Sequence, residues 1–354
     1  MKKQIWFMTC ILFSFSLLIG CSGENEESTS VEDNQTSAAT ETTVDKKQAE
    51  GETEKEEKTT KKQLESDFSV TLLGTGHPHP RPDRFSASTL VEVGDEKLLF
   101  DAGRGAAIRL YESEVLPGEV NKLFLTHLHS DHVIGIDDVL LTGWLPYLGE
   151  RAEPFSVWGP EGTNDMMSHL TKAFQPDIDA RAGYTKSEGV KVVTEEIQEG
   201  VVFDENGIKV TAFHVDHEPE DSYGYRIDYK NRSLVLSGDT AYSENLIKYA
   251  EGADVIVHEV AVAPKEQLES SKELQTIMSI HTSPEEAGKI FSQTQPKLAV
   301  YSHIVLLGGY EEGDIDLVKE TKATYSGDFV EGEDLMSIVI GEEDVEVQAP
   351  PLNE

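Results

Sequence analysis

The sequence predicts an α/β domain in which β-sheets pack against each other and helices cover them on the outside. Apolar runs of strand length alternate with amphipathic helical patterns along residues 67–354. These patterns form two successive runs of strands, each followed by helices, which suggests packed sheets with helices outside. No linker and no repeat of fixed period interrupts the region. Its roughly 290 residues are therefore assigned to one large domain.

The first half begins with three consecutive strands and continues with alternating helices and strands. In chain order we predict strands at 69–76, 88–93 and 97–103, a helix at 105–113, a buried strand at 121–127, a helix at 134–145, a strand at 155–160 and an amphipathic helix at 164–174.

The second half repeats this order. We predict strands at 208–217, 222–229 and 232–239, a helix at 244–252, a strand at 253–260, a helix at 282–293 and a strand at 297–304. The stretch Ser283–Glu286 has the form of a capping box with Pro at the first helical position, which marks a helix start.

Residues 1–20 are predicted to be a lipoprotein signal peptide. Two lysines precede the apolar run Ile5–Gly20, which is shorter than the roughly twenty residues of a membrane span. The ending Leu17–Cys21 resembles a bacterial lipobox, so we expect cleavage before Cys21 and a lipid on that cysteine. The alternative is a signal anchor that stays uncut. We expect the mature protein at the cell membrane, anchored by the lipid and facing outside the cytoplasm.

Residues 21–66 are predicted to be a disordered acidic tether, because their polar composition cannot offset chain entropy by apolar burial. The whole chain carries 66 Asp and Glu against 30 Lys and Arg. Such a charge repels phosphate backbones, so a nucleic-acid partner is unlikely. The only cysteines are Cys10 and Cys21, which excludes a disulfide framework and a thiolate metal site in the mature chain.

A cluster of metal-binding residue types stands in the stretch Thr126–His132. The chain has 11 histidines, and three of them fall here together with an aspartate: His127, His129, Asp131 and His132. They lie where a predicted strand turns into a helix, so their side chains can converge. Imidazole and carboxylate without cysteine suit Zn²⁺, Mn²⁺ or Fe²⁺. Further candidates follow later strands, where α/β folds collect ligands: His214, His217, Asp239 and His303.

The chain resembles the metallo-β-lactamase superfamily, in the branch that includes ribonuclease Z. The motif H-x-H-x-D-H is His127–His132. Other motifs occur in the order of that branch: Leu72–Gly76, Phe100–Gly105, Val157–Thr163, Gly224–Arg226, Ser237–Thr240, Val257–Ala261, His281–Ala287 and Ser302–Val305. The resemblance implies an αββα sandwich of two mixed β-sheets flanked by helices, with a two-metal site at one edge.

The resemblance also implies how the ligands divide between two divalent ions, for which Zn²⁺ is expected and Mn²⁺ or Fe²⁺ are alternatives. His127, His129 and His217 would hold the first ion, Asp131, His132 and His303 the second, and Asp239 would bridge them. His214 is interpreted as a residue that contacts the ligands without binding a metal ion, or as a structural residue.

Several residues receive catalytic or supporting roles. Asp131 would also accept a proton from water. His281 matches the histidine that protonates the leaving group in this branch, and its alternative is a surface residue before a helix. Glu259 would orient a neighbouring histidine. His79 and Arg84, in a Pro-rich loop with His77 and Arg81, are candidate substrate contacts or simply solvated residues.

The predicted function is a binuclear metal-dependent hydrolase that cleaves phosphodiester or related ester bonds of a small molecule with a metal-bound hydroxide. An aryl sulfate, a carboxylic ester or a lactone is the alternative substrate, and a true β-lactamase is disfavoured. The segment 176–200 shows no Gly-rich, basic arm of the kind that tRNA-processing relatives use. A non-enzymatic alternative is an extracytoplasmic ligand-binding lipoprotein. A homodimer stays possible.

Overall fold

The computed structural model describes residues 66–311 and 313–351, and in this part of the chain the strands form two mixed β-sheets. The predicted signal peptide, Cys21 and the tether up to residue 65 lie outside the described residues. The strands are β1 Phe68–Gly74, β2 Ser88–Val93, β3 Glu96–Phe100, β4 Lys122–Phe124, β5 Phe155–Gly159, β6 Val192–Glu196, β7 Gly200–Glu205, β8 Ile208–His214, β9 Tyr223–Tyr229, β10 Arg232–Leu236, β11 Val255–Val262, β12 Leu298–Leu306, β13 Phe329–Glu331, β14 Met336–Ile340 and β15 Val345–Gln348.

Both sheets combine antiparallel and parallel pairs. The first has the order β15-β14-β1-β2-β3-β4-β5-β6, and the second has the order β13-β12-β11-β10-β9-β8-β7. In the first sheet the strands are antiparallel up to β3 and parallel from β3 to β6. In the second sheet they are antiparallel from β7 to β10 and parallel from β10 to β13. Parallel neighbours need crossover segments, and these supply most of the helices.

The helices are mostly short. They are α1 Ala106–Glu112, α2 Ser130–Val133, α3 Ile136–Trp144, α4 Thr163–Ala173, α5 Gln175–Arg181, α6 Glu244–Ala250, α7 Lys265–Ser270, α8 Lys272–Met278, α9 Pro284–Thr294 and α10 Leu317–Lys322, with a 3₁₀ turn at Pro117–Glu119. The predicted capping box opens α9, since Ser283 Oγ accepts from the amide of Glu286 and Glu286 Oε2 accepts from the amide of Ser283. No helix among the described residues is both long and apolar enough to cross a membrane.

Three apolar layers explain the αββα order. Side chains alternate along each strand, so Leu72 faces the space between the sheets while Leu73 faces outward. Leu72 belongs to the same central layer as second-sheet residues such as Leu234. Leu73 packs with residues of α1 and α3, and the outer face of the second sheet packs against α9 through Phe291. The predicted fold class is therefore confirmed.

The end of the chain adds two strands that were not predicted. β14 and β15, at the end of the chain, return to the first sheet beside β1. The strands β6, β7 and β13–β15, which lie at or next to sheet edges, were not predicted from the sequence. The short helices α2, α5, α7, α8 and α10 were not predicted either. Five predicted strands end two or three residues early, at residues 74, 100, 124, 214 and 236. After the last three of these ends the chain turns and presents polar side chains.

Candidate metal centre

The turns after β4, β8 and β10 meet at one edge of the two sheets. His127 and His129 follow β4, His217 follows β8, and Asp239 follows β10. His303 lies within β12, where its backbone adopts a left-handed conformation with φ 43°. A non-glycine residue holds such a conformation only where its surroundings impose it.

All seven predicted ligands come together at this edge. Their donor atoms lie within 4.8 Å of one another in two groups: His127, His129, His217 and Asp239; and Asp131, His132 and His303. A third group of the same kind contains Asp239, His281 and His303. His129 is exposed, whereas the other ligand candidates are buried, so the centre opens to solvent on the His129 side.

Asp239 lies between the first two groups. Its Oδ2 is 3.3 Å from His303 Nε2 and 3.4 Å from His132 Nε2. The same oxygen is 3.8 Å from the Nε2 atoms of His127 and His217. One carboxylate oxygen within reach of imidazoles from both groups is the arrangement that a bridging ligand requires.

The donor set fits two divalent cations. Two ligand atoms on a tetrahedral Zn²⁺ lie about 3.4 Å apart, given bond lengths of about 2.0–2.1 Å. The nitrogen–nitrogen distances around His129 Nδ1 are 2.9 Å to His127 Nε2 and 3.4 Å to His217 Nε2. Among the described residues, His132 Nε2, His303 Nδ1 and Asp239 Oδ1 are buried without a hydrogen bond. Buried polar atoms without partners are costly, and a cation would satisfy those that face it.

Asp101 supports this centre and was missed by the sequence analysis. Its Oδ2 is 2.7 Å from His132 Nδ1, and its carboxylate accepts from both the amide and the hydroxyl of Thr126 at 2.8 Å. This contact fixes the His132 ring so that Nε2 faces the other ligands. Asp101 has a left-handed φ of 56°. The signal was its place in the Phe100–Gly105 motif, to which no role had been given.

The loop that carries Asp101 also packs on the backbone of the ligand motif. The amide of Ala102 donates to the carbonyl of His132 at 2.8 Å. A side chain at Gly103 would approach the carbonyl oxygen of Asp131 to 2.2 Å, so only glycine allows this close contact. His217 is oriented in a similar way from another direction, since its Nδ1 is 2.8 Å from the carbonyl of Ile280.

Electrostatics differ between the two groups. Burial lowers the pKa of His127 well below its usual range, and the neighbouring His132 adds to this effect. Burial also opposes charge on His132, but the carboxylates of Asp239 and Asp101 overcome it and raise the pKa of His132 well above the usual range. Metal binding requires neutral imidazoles, so His132 would release a proton when a cation binds.

His281 and Glu259 form a buried pair beside the ligands. His281 Nδ1 is 3.3 Å from Glu259 Oε1, and the His281 ring lies 5.2 Å from the His217 ring. Glu259 Oε1 also accepts from the amides of Thr282 at 2.8 Å and Thr240 at 3.3 Å. Burial disfavours charge on His281, but the Glu259 carboxylate outweighs it and raises the pKa of the imidazole to about 9.

Other candidates lie outside the ligand groups. The half-buried His214 packs its ring on Tyr223, with the ring centroids 4.6 Å apart. His79 is exposed and touches the half-buried His77, whose pKa is lowered to about 4 by burial and then by the neighbouring His303. His77, rather than His79, is therefore the loop histidine close to the centre.

The structure places Arg84, a predicted candidate for substrate contact, inside the domain. Its side chain is buried, and its Nη1 donates to Thr75 Oγ1 at 2.6 Å and to the carbonyl of Gly332 at 3.0 Å. The guanidinium is thus held inside the domain, where it connects the loop to two other segments.

Comparison with known proteins agrees with this geometry. The family described as "Anti-Pycsar protein Apyc1" matches residues 68–284. Ribonuclease Z of Mycolicibacterium paratuberculosis is 35% identical over 250 residues, which cover 69% of this chain and 89% of that protein. Among solved structures, the metallo-β-lactamase fold protein YhfI from Bacillus subtilis has a TM-score of 0.59 at 20% identity, covering 77% of this chain and 99% of YhfI. The short form of human tRNase Z has a TM-score of 0.58 at 23% identity, with the same coverage.

Proposed function

The chain belongs to the Apyc1 family and, with ribonuclease Z, to the metallo-β-lactamase superfamily of metal-dependent hydrolases, and we propose that it cleaves phosphodiester bonds in small substrates. This membership leaves the alternative of a non-enzymatic binding lipoprotein without support. The finer assignment, to two metal ions and to a small phosphodiester, is our proposal.

The observation that carries it is the position of Asp239 between two groups of imidazole and carboxylate donors. We propose that His127, His129 and His217 hold one ion, that Asp131, His132 and His303 hold the other, and that Asp239 bridges them. When bound, two Zn²⁺ ions would polarise the ester and lower the pKa of water to near neutrality. Mn²⁺ or Fe²⁺ would suit the same donors.

The chain supplies the groups that move protons. Asp131 Oδ2 lies 3.1 Å from His303 Nε2, so its carboxylate is at the centre and can accept a proton from the attacking water. His281 is held in its charged form by Glu259 and can donate a proton to the departing alkoxide. Without that proton the leaving group would depart as a high-energy anion.

The small size of the substrate is inferred from charge and shape. The names ribonuclease Z and tRNase Z indicate RNA as the substrate of those proteins, which is at odds with our expectation that nucleic acid is an unlikely partner. This chain, however, has a formal net charge of −36, and polynucleotide binding depends on basic surface. The segment from 175 to 205 contains α5, β6 and β7.

The test is metal analysis combined with a substrate panel. The panel contains a bis-aryl phosphate, an aryl phosphonate, an aryl sulfate, an aryl acetate, a cephalosporin and a tRNA precursor. We expect about two metal ions per chain and fastest turnover of the bis-aryl phosphate. Faster cleavage of the sulfate, the acetate or the tRNA would replace the proposed substrate class.

A variant separates the metal chemistry from contaminating activity. Asp239→Ala should lose bound metal and reduce hydrolysis by at least about a thousandfold, because both sites lose a ligand. Asp254→Asn is the matched control, since Asp254 is a buried carboxylate directly before β11, the strand that carries Glu259. Unchanged catalysis in Asp239→Ala would refute the two-metal proposal.

We also propose that a lipid on Cys21 holds the domain at the outer face of the cell membrane. The support is the apolar run Ile5–Gly20 followed directly by cysteine. Mass spectrometry of the mature N-terminus should show a lipidated Cys21, and Cys21→Ser should release the protein from membranes. Light scattering of the purified domain would measure whether it forms a homodimer.

A further inference from the structure

A buried polar cluster is connected to the strand that carries His303. The Asp334 carboxylate is the acceptor that its members share. Asp334 follows β13 and precedes β14, so it sits where the chain crosses from the second sheet to the first. Its side chain is 5% exposed. One oxygen accepts from the amide and the hydroxyl of Thr75, and the other accepts from the amide of Phe85 and from Arg109 Nη2, all at 2.7–3.0 Å. Four donors therefore converge on one carboxylate.

Thr75 passes this restraint to the strand that carries His303. Its backbone carbonyl accepts from the amide of Ile304 at 2.8 Å, directly after His303. Thr75 is fully buried, and its hydroxyl also accepts from Arg84 Nη1. Because His303 has a left-handed backbone, its conformation depends on neighbours that hold the adjoining peptide in place.

The same carboxylate closes the loop that contains His77. Asp334 binds Thr75 at the start of this loop and Phe85 at its end. The two ends also bond to each other, since the amide of Gly76 donates to the carbonyl of Phe85 at 2.6 Å. Arg109 adds a further contact, with its guanidinium carbon 4.3 Å from the centre of the Phe85 ring.

We propose that Asp334 and Thr75 are positioning residues of the metal centre. They fix the backbone of His303, and they fix both ends of the loop 76–84, which carries His77. Neither residue touches the reacting atoms. The inference rests on the proposed function, because it assumes that His303 binds a metal ion.

The experiment measures Zn²⁺ affinity and loop exchange in a set of variants. Asp334→Asn removes the charge that faces Arg109 and replaces an acceptor oxygen by an NH₂ group. Thr75→Val removes the hydroxyl at nearly constant volume, whereas Thr75→Ser keeps it. Asp254→Asn controls for the loss of a buried carboxylate. The Asp254 carboxylate accepts from the amide of Ser233 and pairs with Lys297, away from the metal centre.

Zn²⁺ affinity is measured by competition with a chelating dye, and hydrogen–deuterium exchange of residues 76–85 is measured in metal-free protein. We expect Asp334→Asn and Thr75→Val to bind the second Zn²⁺ equivalent about tenfold more weakly. Loop exchange should also be faster and KM higher, while Thr75→Ser and Asp254→Asn stay close to the parent chain.

The outcomes separate this inference from the proposed function. Folded Asp334→Asn or Thr75→Val with parental Zn²⁺ affinity and parental loop exchange overturns the inference, and so does an equal loss in Asp254→Asn. If Asp334→Asn fails to fold, Thr75→Val against Thr75→Ser decides. A parent chain that binds no Zn²⁺, Mn²⁺ or Fe²⁺ refutes the proposed function instead. Loop exchange in the metal-free variants then still tests whether Asp334 and Thr75 hold the loop 76–84.

Discussion

Replacing Asp101 by Asn tests how the centre depends on a residue that contacts no metal. The carboxylate accepts three hydrogen bonds at 2.7–2.8 Å, from the Thr126 amide, the Thr126 hydroxyl and His132 Nδ1. Asparagine keeps one acceptor oxygen, which the Thr126 amide can retain. Its NH₂ group then faces His132 Nδ1 and favours the tautomer that is protonated at Nε2, the nitrogen that faces Asp131 and Asp239.

The expected cost follows from this contact. Loss of the carboxylate that orients a ligating histidine weakens metal binding by about 10- to 100-fold, or about 1.4–2.8 kcal/mol. The substitution also removes a negative charge and so lowers the pKa of His132, which alone would ease competition from protons. A measurement at pH 8, where proton competition is weaker than at neutral pH, therefore reports mainly the tautomer effect.

The assay is Zn²⁺ competition with a chelating dye, accompanied by thermal unfolding of the metal-free protein. Asp254→Asn again serves as the control, because it also removes a buried carboxylate that accepts from a backbone amide. Parental affinity for both Zn²⁺ equivalents in Asp101→Asn, with parental thermal stability, would refute the assignment of His132 as a ligand oriented by Asp101.

Two further predictions concern proton donation and stability. Glu259→Gln should lower kcat about tenfold at pH 7.5 and move the alkaline limb of the pH profile to lower pH: activity needs charged His281 and falls as pH rises through its pKa, which Glu259 raises to about 9. Bound cations add positive charge nearby and lower the pKa of His281, so the opposing effect of the Glu259 carboxylate on that pKa is needed more when metal is bound. If the alkaline limb of the pH profile does not move in Glu259→Gln, His281 is not the acid. Phe291→Ala should lower the free energy of unfolding by about 3–5 kcal/mol, measured in urea, because its fully buried ring packs on Tyr301, Tyr325 and Phe329. A loss below about 1 kcal/mol would contradict the packing described for the outer face of the second sheet.

Sequence reasoning was strongest where the signal is local. The strands that carry ligand turns, such as β4 and β10, are short apolar runs, and their order could be predicted along the chain, but both end three residues earlier than predicted. The ligands His127, His129, Asp131 and His132 fall within six residues, so one turn brings them near one another. Their division between two ions, and the choice of His217 over His214, came from the family resemblance rather than from periodicity.

The tertiary structure decided what depends on residues far apart in the chain. β14 joins the first sheet because it pairs with β1, which lies more than 260 residues earlier, and no local pattern encodes that pairing. The role of Asp334 arises in the same way, since its partner Thr75 is 259 residues away. Arg84 has the sequence context of an exposed loop residue, yet its guanidinium is buried because Thr75 and Gly332 surround it. The sequence by itself thus determined the residue types that can bind metal and most of the strands. The tertiary structure, in which the chain crosses from β13 to β14, decided which distant groups hold those metal-binding side chains in place.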